Sequence, residues 1–98
     1  MNNRVEIHYC TGCKWLLRSA WMSQELLSTF ENDLSEVSLI PGKNGIFEIK
    51  VDGNLVWSRE KHGGFPDIKT LKNLIRDIVA PNRDLGHLEM DDNKPETD

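Results

Sequence analysis

Apolar and polar residues alternate near the start of the chain. Val5, Ile7 and Tyr9 are separated by Glu6 and His8. A period of two is typical of a strand that buries one face and leaves the other partly open. The pattern therefore predicts a first strand that runs directly into a cysteine.

After this strand the apolar residues recur at intervals of three and four. From Lys14 to about Asn32 no proline interrupts the pattern, which predicts an amphipathic helix. The apolar positions assigned to this helix are Leu16, Leu17, Ala20, Leu26, Leu27 and Phe30. A short strand at residues 37–40 follows, and Pro41-Gly42 is expected to stop it. This order favours a right-handed crossover between parallel strands.

The middle of the chain predicts a hairpin. Residues 47–51 alternate between apolar and charged side chains, and Asp52-Gly53 separates them from a second apolar run at residues 55–57. Glycine accepts the positive φ of a type I′ turn, so Asp-Gly between two such runs is a strong hairpin signal.

A second helix is predicted after a flexible connector at residues 61–64. Pro66 suits the first turn of that helix, because an N–H is not needed there. The helix is expected to end before Pro81 and to bury one apolar stripe, formed by Ile68, Leu71, Leu74, Ile75, Ile78 and Val79. The element order β-α-β-β-β-α predicts an α/β (α+β) fold of thioredoxin-like layout, with a four-stranded mixed sheet and two main helices.

Length and charge limit the classes of function. A chain of 98 residues suffices for one domain, predicted at residues 1–88, and the acidic segment 89–98 is expected to be a disordered tail. The formal net charge of −4 argues against nucleic acid as a partner. No apolar run approaches the roughly 20 residues of a membrane span, and residues 1–9 lack the apolar region of a secretory signal. We therefore expect a cytoplasmic protein without membrane contact.

One motif carries candidate chemistry, Cys10-Thr11-Gly12-Cys13. A thiol attacks only as a thiolate, and a helix N-terminus stabilises negative sulfur. The two-residue spacer, Thr11 and Gly12, lets the two sulfurs meet, so oxidation is expected to form an intramolecular disulfide. Lys14 and Arg18 add positive charge nearby. The motif predicts reversible thiol–disulfide exchange at Cys10 and Cys13.

Two other interpretations of the cysteines stay open. The pair would be half of a zinc site if two of His8, His62 and His87 completed it, although no second Cys-x-x-Cys or paired-histidine spacing is present. The cysteines would alternatively be inert side chains packed in the core. No metal is predicted.

A partner surface is predicted around Phe65, which follows Gly63-Gly64 in a loop with little backbone to force a side chain inward. Trp15 is the candidate companion of Phe65, although a tryptophan more often lies in the core or at its rim. His62 and the acidic tail are expected to be solvated.

The chain resembles the selenoprotein W-like (Rdx) family, in its bacterial cysteine-containing branch. The matching stretches lie at residues 7–13, 41–49, 51–53, 63–66 and 85–87. The resemblance implies a thioredoxin-like fold and a redox role, with protein thiols or glutathione as exchange substrates and no resident cofactor. Asn44-Gly45 stands where thioredoxins carry a cis-proline, which weakens the expectation of general protein disulfide reduction.

Two arguments disagree on which cysteine attacks a partner disulfide first. Cys10 is expected to lie outside the helix end and Cys13 a turn further in, so access favours attack by Cys10 and resolution by Cys13. The resemblance favours the reverse, since selenium-containing members hold selenocysteine at the position of Cys13. The function itself has a rival, a redox-sensitive protein-interaction module without turnover.

Overall fold

A four-stranded mixed sheet forms one layer of the molecule. The structure is a computed structural model and describes residues 3–85. The sheet order is β2-β1-β3-β4, and β1 pairs in parallel with β2 and antiparallel with β3, which pairs antiparallel with β4. The strands are β1 (Asn3–Cys10), β2 (Leu34–Gly42), β3 (Phe47–Val51) and β4 (Asn54–Ser58). The predicted four-stranded mixed sheet is confirmed.

In the described residues, three helices accompany the sheet, namely α1 (Leu16–Thr29), α2 (Arg59–His62) and α3 (Ile68–Val79). Helix α1 forms the crossover between the parallel strands β1 and β2 and contacts both of them as well as α3. The core lies between the helices and one face of the sheet. Cross-strand pairs of β1 and β3 supply that face: Val5 with Val51, Ile7 with Ile49, and Tyr9 with Phe47.

The predicted bounds of the first helix are wrong, and its predicted buried face is only partly right, since Leu26 and Phe30 are buried. Helix α1 begins at Leu16, because Lys14 has a φ of 63°, a left-handed conformation that a right-handed helix cannot include. The buried face of α1 consists of Ser19, Met22, Ser23, Leu26 and Thr29, which also satisfies a spacing of three and four. Three of these five residues carry small hydroxyl side chains, and Leu16, Leu17 and Leu27 remain exposed.

Proline and glycine do not end the second strand as predicted. Pro41 and Gly42 belong to β2, where they pair with Tyr9 and Cys10. Because β2 is an edge strand, a proline there need not break the ladder of the sheet. The extension carries β2 alongside the whole of β1, up to the first cysteine.

The segment after β4 also differs from the prediction. Residues 61–64 were expected to be a flexible connector, but His62 and the residues before it form the short helix α2, which Gly63 ends with a φ of 79°. Pro66 precedes the N-cap of α3 instead of lying in its first turn, since Asp67 is the cap. The Asp52-Gly53 hairpin is confirmed, with φ values of 51° and 87°.

The apolar stripe of α3 is only partly buried, because Leu71 and Ile75 lie in the core whereas Ile78 is exposed. The expectation of a disordered tail at residues 89–98 concerns a segment outside the described residues. Within residues 3–85, no helix is long and apolar enough to cross a membrane.

The start of α3 depends on the charge of Asp67. Its carboxylate accepts a hydrogen bond of 2.7 Å from the backbone N–H of Thr70, and this bond holds the pKa of Asp67 below its usual range. The cap is therefore fully formed above the ordinary carboxyl pKa and is lost as the pH falls through the lowered value. We expect Asp67→Ala to lower the melting temperature by a few degrees at neutral pH, and by less in acid.

Asp67→Asn is the matched control for this prediction. Asparagine caps helices about as well as aspartate but carries no titrating group, so this variant should retain most of the stability at neutral pH. Thermal melts of the three proteins across the acid range test the prediction. A loss in Asp67→Ala that stayed constant down to strongly acidic pH would contradict the role of the charge.

Candidate functional site

The two cysteines lie on the turn that joins β1 to α1. Cys10 is the last residue of β1, and the turn is anchored to β2 by Thr11, whose N–H and hydroxyl both donate to the carbonyl of Gly42 at 3.1 and 3.3 Å. The N–H of Lys14 closes the turn by donating to the carbonyl of Thr11 at 3.1 Å. Cys13 therefore projects from a tight, anchored turn.

The predicted order of burial is wrong. The side chain of Cys10 is buried, with the residue 4% exposed, whereas Cys13 is exposed. Cys10 remains within the sheet, and the helix begins only at Leu16, so Cys13 sits on the solvent side of the turn instead of inside a first helical turn. The N-terminus of α1, which was expected to lie beside both sulfurs, begins after both cysteines in the chain.

A hydrogen bond between the two thiol side chains distributes charge unequally between them. This bond is the main reason why the pKa of Cys10 lies below its ordinary value, although burial opposes the shift. Backbone N–H groups of Gly45, Cys13 and Gly12 lower the pKa of Cys10 further. Turn amides thus provide the stabilisation that the sequence assigned to a helix end.

The pKa of Cys13 is raised by the same hydrogen bond and by burial, in that order. The N–H of Gly45 and the positive charge of Arg59 act in the opposite direction. When one proton has left the pair, the negative charge therefore resides mainly on Cys10. The remaining proton then lies mainly on Cys13.

Gly45 and Arg59 were not among the predicted site residues. Gly45 lies in a turn with consecutive left-handed residues, in which Asn44 has a φ of 62° and Gly45 a φ of 77°. In the sequence, Asn44-Gly45 was notable only for its place where thioredoxins carry a cis-proline, and the sequence does not show which group the amide of Gly45 faces. Arg59 is brought to Cys13 by the short helix α2, which the sequence pattern does not predict.

Phe65 and Trp15, predicted as a partner surface, contact each other. Their rings meet edge to face with centroids 4.9 Å apart, and both side chains are half-buried against the core. The guanidinium groups of Arg18 and Arg59 lie 4.3 Å from the Phe65 ring and 4.9 Å from the Trp15 ring, respectively. We call these four residues the aromatic–arginine cluster.

The two glycines before Phe65 help to place its ring. Gly63 and Gly64 have φ values of 79° and 151°, and the carbonyl of Gly64 accepts a hydrogen bond of 2.9 Å from the indole N–H of Trp57. Arg18 thus has an aromatic partner in the described structure, while Lys14 is exposed on the turn. Their support of a thiolate stays a prediction.

The histidines considered as zinc ligands have other partners. His8 lies 2.9 Å from a carboxylate oxygen of Glu6, and His62 contacts the carbonyl of Ser58 at 3.0 Å while it stacks on Trp57. His87 falls outside the described residues. In residues 3–85, no three His, Cys, Asp or Glu side chains are grouped so that they could hold a metal ion.

Comparisons with known proteins agree on one family. A model of the Rdx family matches residues 4–77 of the chain. The crystal structure of a selenoprotein W-related protein from Vibrio cholerae is 47% identical, covers 81% of this chain and 99% of its own, and superposes with a TM-score of 0.79. A crystal structure from Bordetella parapertussis is 56% identical, covers 79% of this chain and 98% of its own, and has a TM-score of 0.77.

A mammalian protein is also similar. Migration and invasion enhancer 1 of Bos taurus is 32% identical over 73 residues, which is 74% of this chain. The match spans only 62% of the length of the bovine protein.

Proposed function

The chain belongs to the Rdx family, whose fold is thioredoxin-like, and from that premise we propose that Cys10 and Cys13 form a reversible dithiol–disulfide pair that exchanges with protein thiols or glutathione. The observation that carries the proposal is the placement of a buried thiol, Cys10, and an exposed thiol, Cys13, on one anchored turn, where each thiol shifts the pKa of the other. Such a pair has one sulfur for attack and one for resolution. The proposal includes a cytoplasmic location, where thiol pools keep such pairs reduced.

Charge and access favour different sulfurs for the first attack. Cys10 carries more of the negative charge, but at 4% exposure it cannot be reached in line by the sulfur of a partner disulfide. A proton moves readily along a hydrogen bond between two thiols, whereas uncovering a buried sulfur requires local opening. We therefore assign attack to Cys13 and the role of internal base to Cys10.

In the first step the proton of Cys13 passes to the sulfur of Cys10. The Cys13 thiolate then attacks one sulfur of the partner disulfide, a Cys13–partner disulfide bond forms, and the other partner sulfur leaves as a thiolate. The charge of Arg59 and the N–H of Gly45 favour the Cys13 thiolate during this step.

In the second step Cys10 gives its proton to the departed thiolate and attacks the sulfur of Cys13. The Cys10–Cys13 disulfide forms, and the second partner sulfur leaves as a thiolate that takes a proton from water. The protein has then lost two electrons, and the partner disulfide has become two thiols. The amides of Gly45 and Gly12, which lower the pKa of Cys10, favour the thiolate needed for this resolution.

Single-cysteine variants test the assignment of roles. We expect Cys10→Ser, after treatment with glutathione disulfide, to accumulate a stable adduct with one glutathionyl group at Cys13, because no resolving thiol remains. Cys13→Ser should form little adduct over the same time, because its one thiol is buried. Intact-mass measurements over time give both rates, and a faster adduct in Cys13→Ser would reverse the assignment.

The wild-type protein and the double variant complete this experiment. Oxidised wild type should lose two hydrogens, with little adduct and no dominant covalent dimer, whereas the variant without cysteines should remain unchanged. Supplying a reductant then tests turnover. If the wild type oxidised and reduced but never consumed more than one equivalent of disulfide, the redox-sensitive interaction module would replace the exchange function.

A further inference from the structure

The face of α1 that points away from the core is apolar where it adjoins the cysteine turn. Leu17 is 82% exposed, and Leu16 and Trp21 are each 47% exposed. Leu17 and Trp21 are one helical turn apart and therefore neighbours on the surface. Leucine exposed to this degree next to a reactive thiol has no role in the packing of the fold.

A groove of about 300 Å³ lies beside these side chains. It is lined by Tyr9, Thr11, Lys14, Leu16 and Leu17. Thr11 and Lys14 belong to the turn that carries Cys13, so the groove is continuous with the surface that any substrate of Cys13 must cover. Leucine and tyrosine carbon supply most of its apolar wall.

The charge around the groove is positive although the chain as a whole is acidic. Lys14 is the one charged residue in the groove lining, and the first turn of α1 contains no acidic residue. Within the described part of the chain, Lys14 forms no ion pair with a carboxylate. A carboxylate on an occupant of the groove would therefore find one cation that is not already paired.

We propose that this groove binds an apolar side chain that neighbours the reactive cysteine of a protein substrate, in a segment that also carries a carboxylate. The proposal rests on the exchange function proposed above and names its substrate class as acidic-apolar protein segments. Glutathione has no apolar side chain to place there. Burial of one leucine-sized side chain can supply about a ten-fold preference, so the groove would select protein disulfides over small ones.

Two pentapeptides serve as probes, each with its central cysteine in a mixed disulfide with 5-thio-2-nitrobenzoate. One carries leucine on both sides of the cysteine and aspartate at both ends, and the other carries serine at all four places. Attack at the peptide sulfur releases the coloured thiolate, which is the better leaving group. Each rate is divided by the rate of the same probe with dithiothreitol, which removes differences in intrinsic reactivity.

We expect the wild-type protein to prefer the leucine–aspartate probe by about ten-fold, and Leu17→Ala to reduce that preference by at least about three-fold. Leu27→Ala is the matched control, because Leu27 is also exposed on α1, at 40%, but lies roughly 15 Å further along the helix axis. Its preference should equal that of the wild type. Lys14→Asn should reduce the preference as well, and asparagine tolerates the left-handed backbone at this position.

The outcomes separate this proposal from the exchange function. Colour release without a preference between the probes would overturn the proposal that the groove binds substrate. An equal loss of preference in Leu17→Ala and Leu27→Ala would do the same, and either result would leave the exchange function standing. No release from either probe would overturn both. Added salt should weaken the preference if the carboxylates contribute to it, and melting curves of all variants establish that each is folded.

Discussion

In reduced protein, iodoacetamide is expected to label Cys13 at least about ten-fold faster than Cys10. The reagent must reach the sulfur in line, and Cys10 is 4% exposed whereas Cys13 is open to solvent. Labelling of Cys10 requires local opening of the turn, and an opening free energy of only about 1.4 kcal/mol slows a reaction ten-fold. Quenched labelling followed by peptide mass analysis measures both rates in one sample.

The pH dependence of this labelling tests the hydrogen bond between the thiols. The pKa of Cys10 is lowered chiefly by its bond to Cys13, so the pair should lose its first proton at a lower pH than an ordinary thiol. The same bond raises the pKa of Cys13, so Cys13 of Cys10→Ser, which lacks that thiol, should become reactive at lower pH than Cys13 of the wild type. An equal or higher midpoint in the variant would contradict the shared charge.

Denatured protein is the control for the labelling rates. In denaturant both cysteines should react at similar rates, because neither burial nor the turn distinguishes them. Faster labelling of Cys10 in the folded protein would show that charge outweighs access. It would also restore attack by Cys10 and resolution by Cys13, the order that the expected access favoured.

The first, third and fourth strands were predictable because their pattern has one interpretation. Residues 47–51 alternate strictly, and each apolar member faces the core in β3. The crossover and the Asp-Gly hairpin follow from rules that depend on a few neighbouring residues. The resemblance to the selenoprotein W-like family, drawn from short motifs in these elements, is confirmed by the match over residues 4–77.

The buried face of the first helix was harder to predict, because two different faces of the helix satisfy a spacing of three and four residues. Leu16, Leu17 and Leu27 form one apolar series, while Ser19 and Met22 belong to the face that is buried. Hydrophobicity favours the first series, but the buried face includes the small hydroxyl residues of the second. Periodicity alone does not decide between them.

The cysteine site could be located from the sequence but its electrostatics could not. Cys-x-x-Cys after a strand marked the place, yet the left-handed Lys14 delays the helix and exposes Cys13. The amide of Gly45 and the charge of Arg59 reach the sulfurs from distant parts of the chain. Such groups become visible only when the sheet brings β2, β3 and α2 together.

Replacement of Phe30 by alanine should cause the largest loss of stability among the variants considered. Phe30 ends α1, is fully buried in the core, and packs beneath the guanidinium of Arg83, which lies 5.5 Å from its ring centroid. Removal of a buried phenylalanine ring costs about 3–5 kcal/mol, a large part of the roughly 5–15 kcal/mol by which small domains are stable. The melting temperature should fall by at least about 12 °C.

Leu17→Ala is the control for Phe30→Ala, because it removes apolar carbon from the same helix at a site that is 82% exposed. Its free energy of unfolding should change by no more than about 0.5 kcal/mol. Chemical denaturation of both variants gives the two values directly. Similar losses would mean that the exposed leucines, and not the face with Ser19 and Met22, pack in the core, and the groove beside Cys13 would then lose its apolar wall.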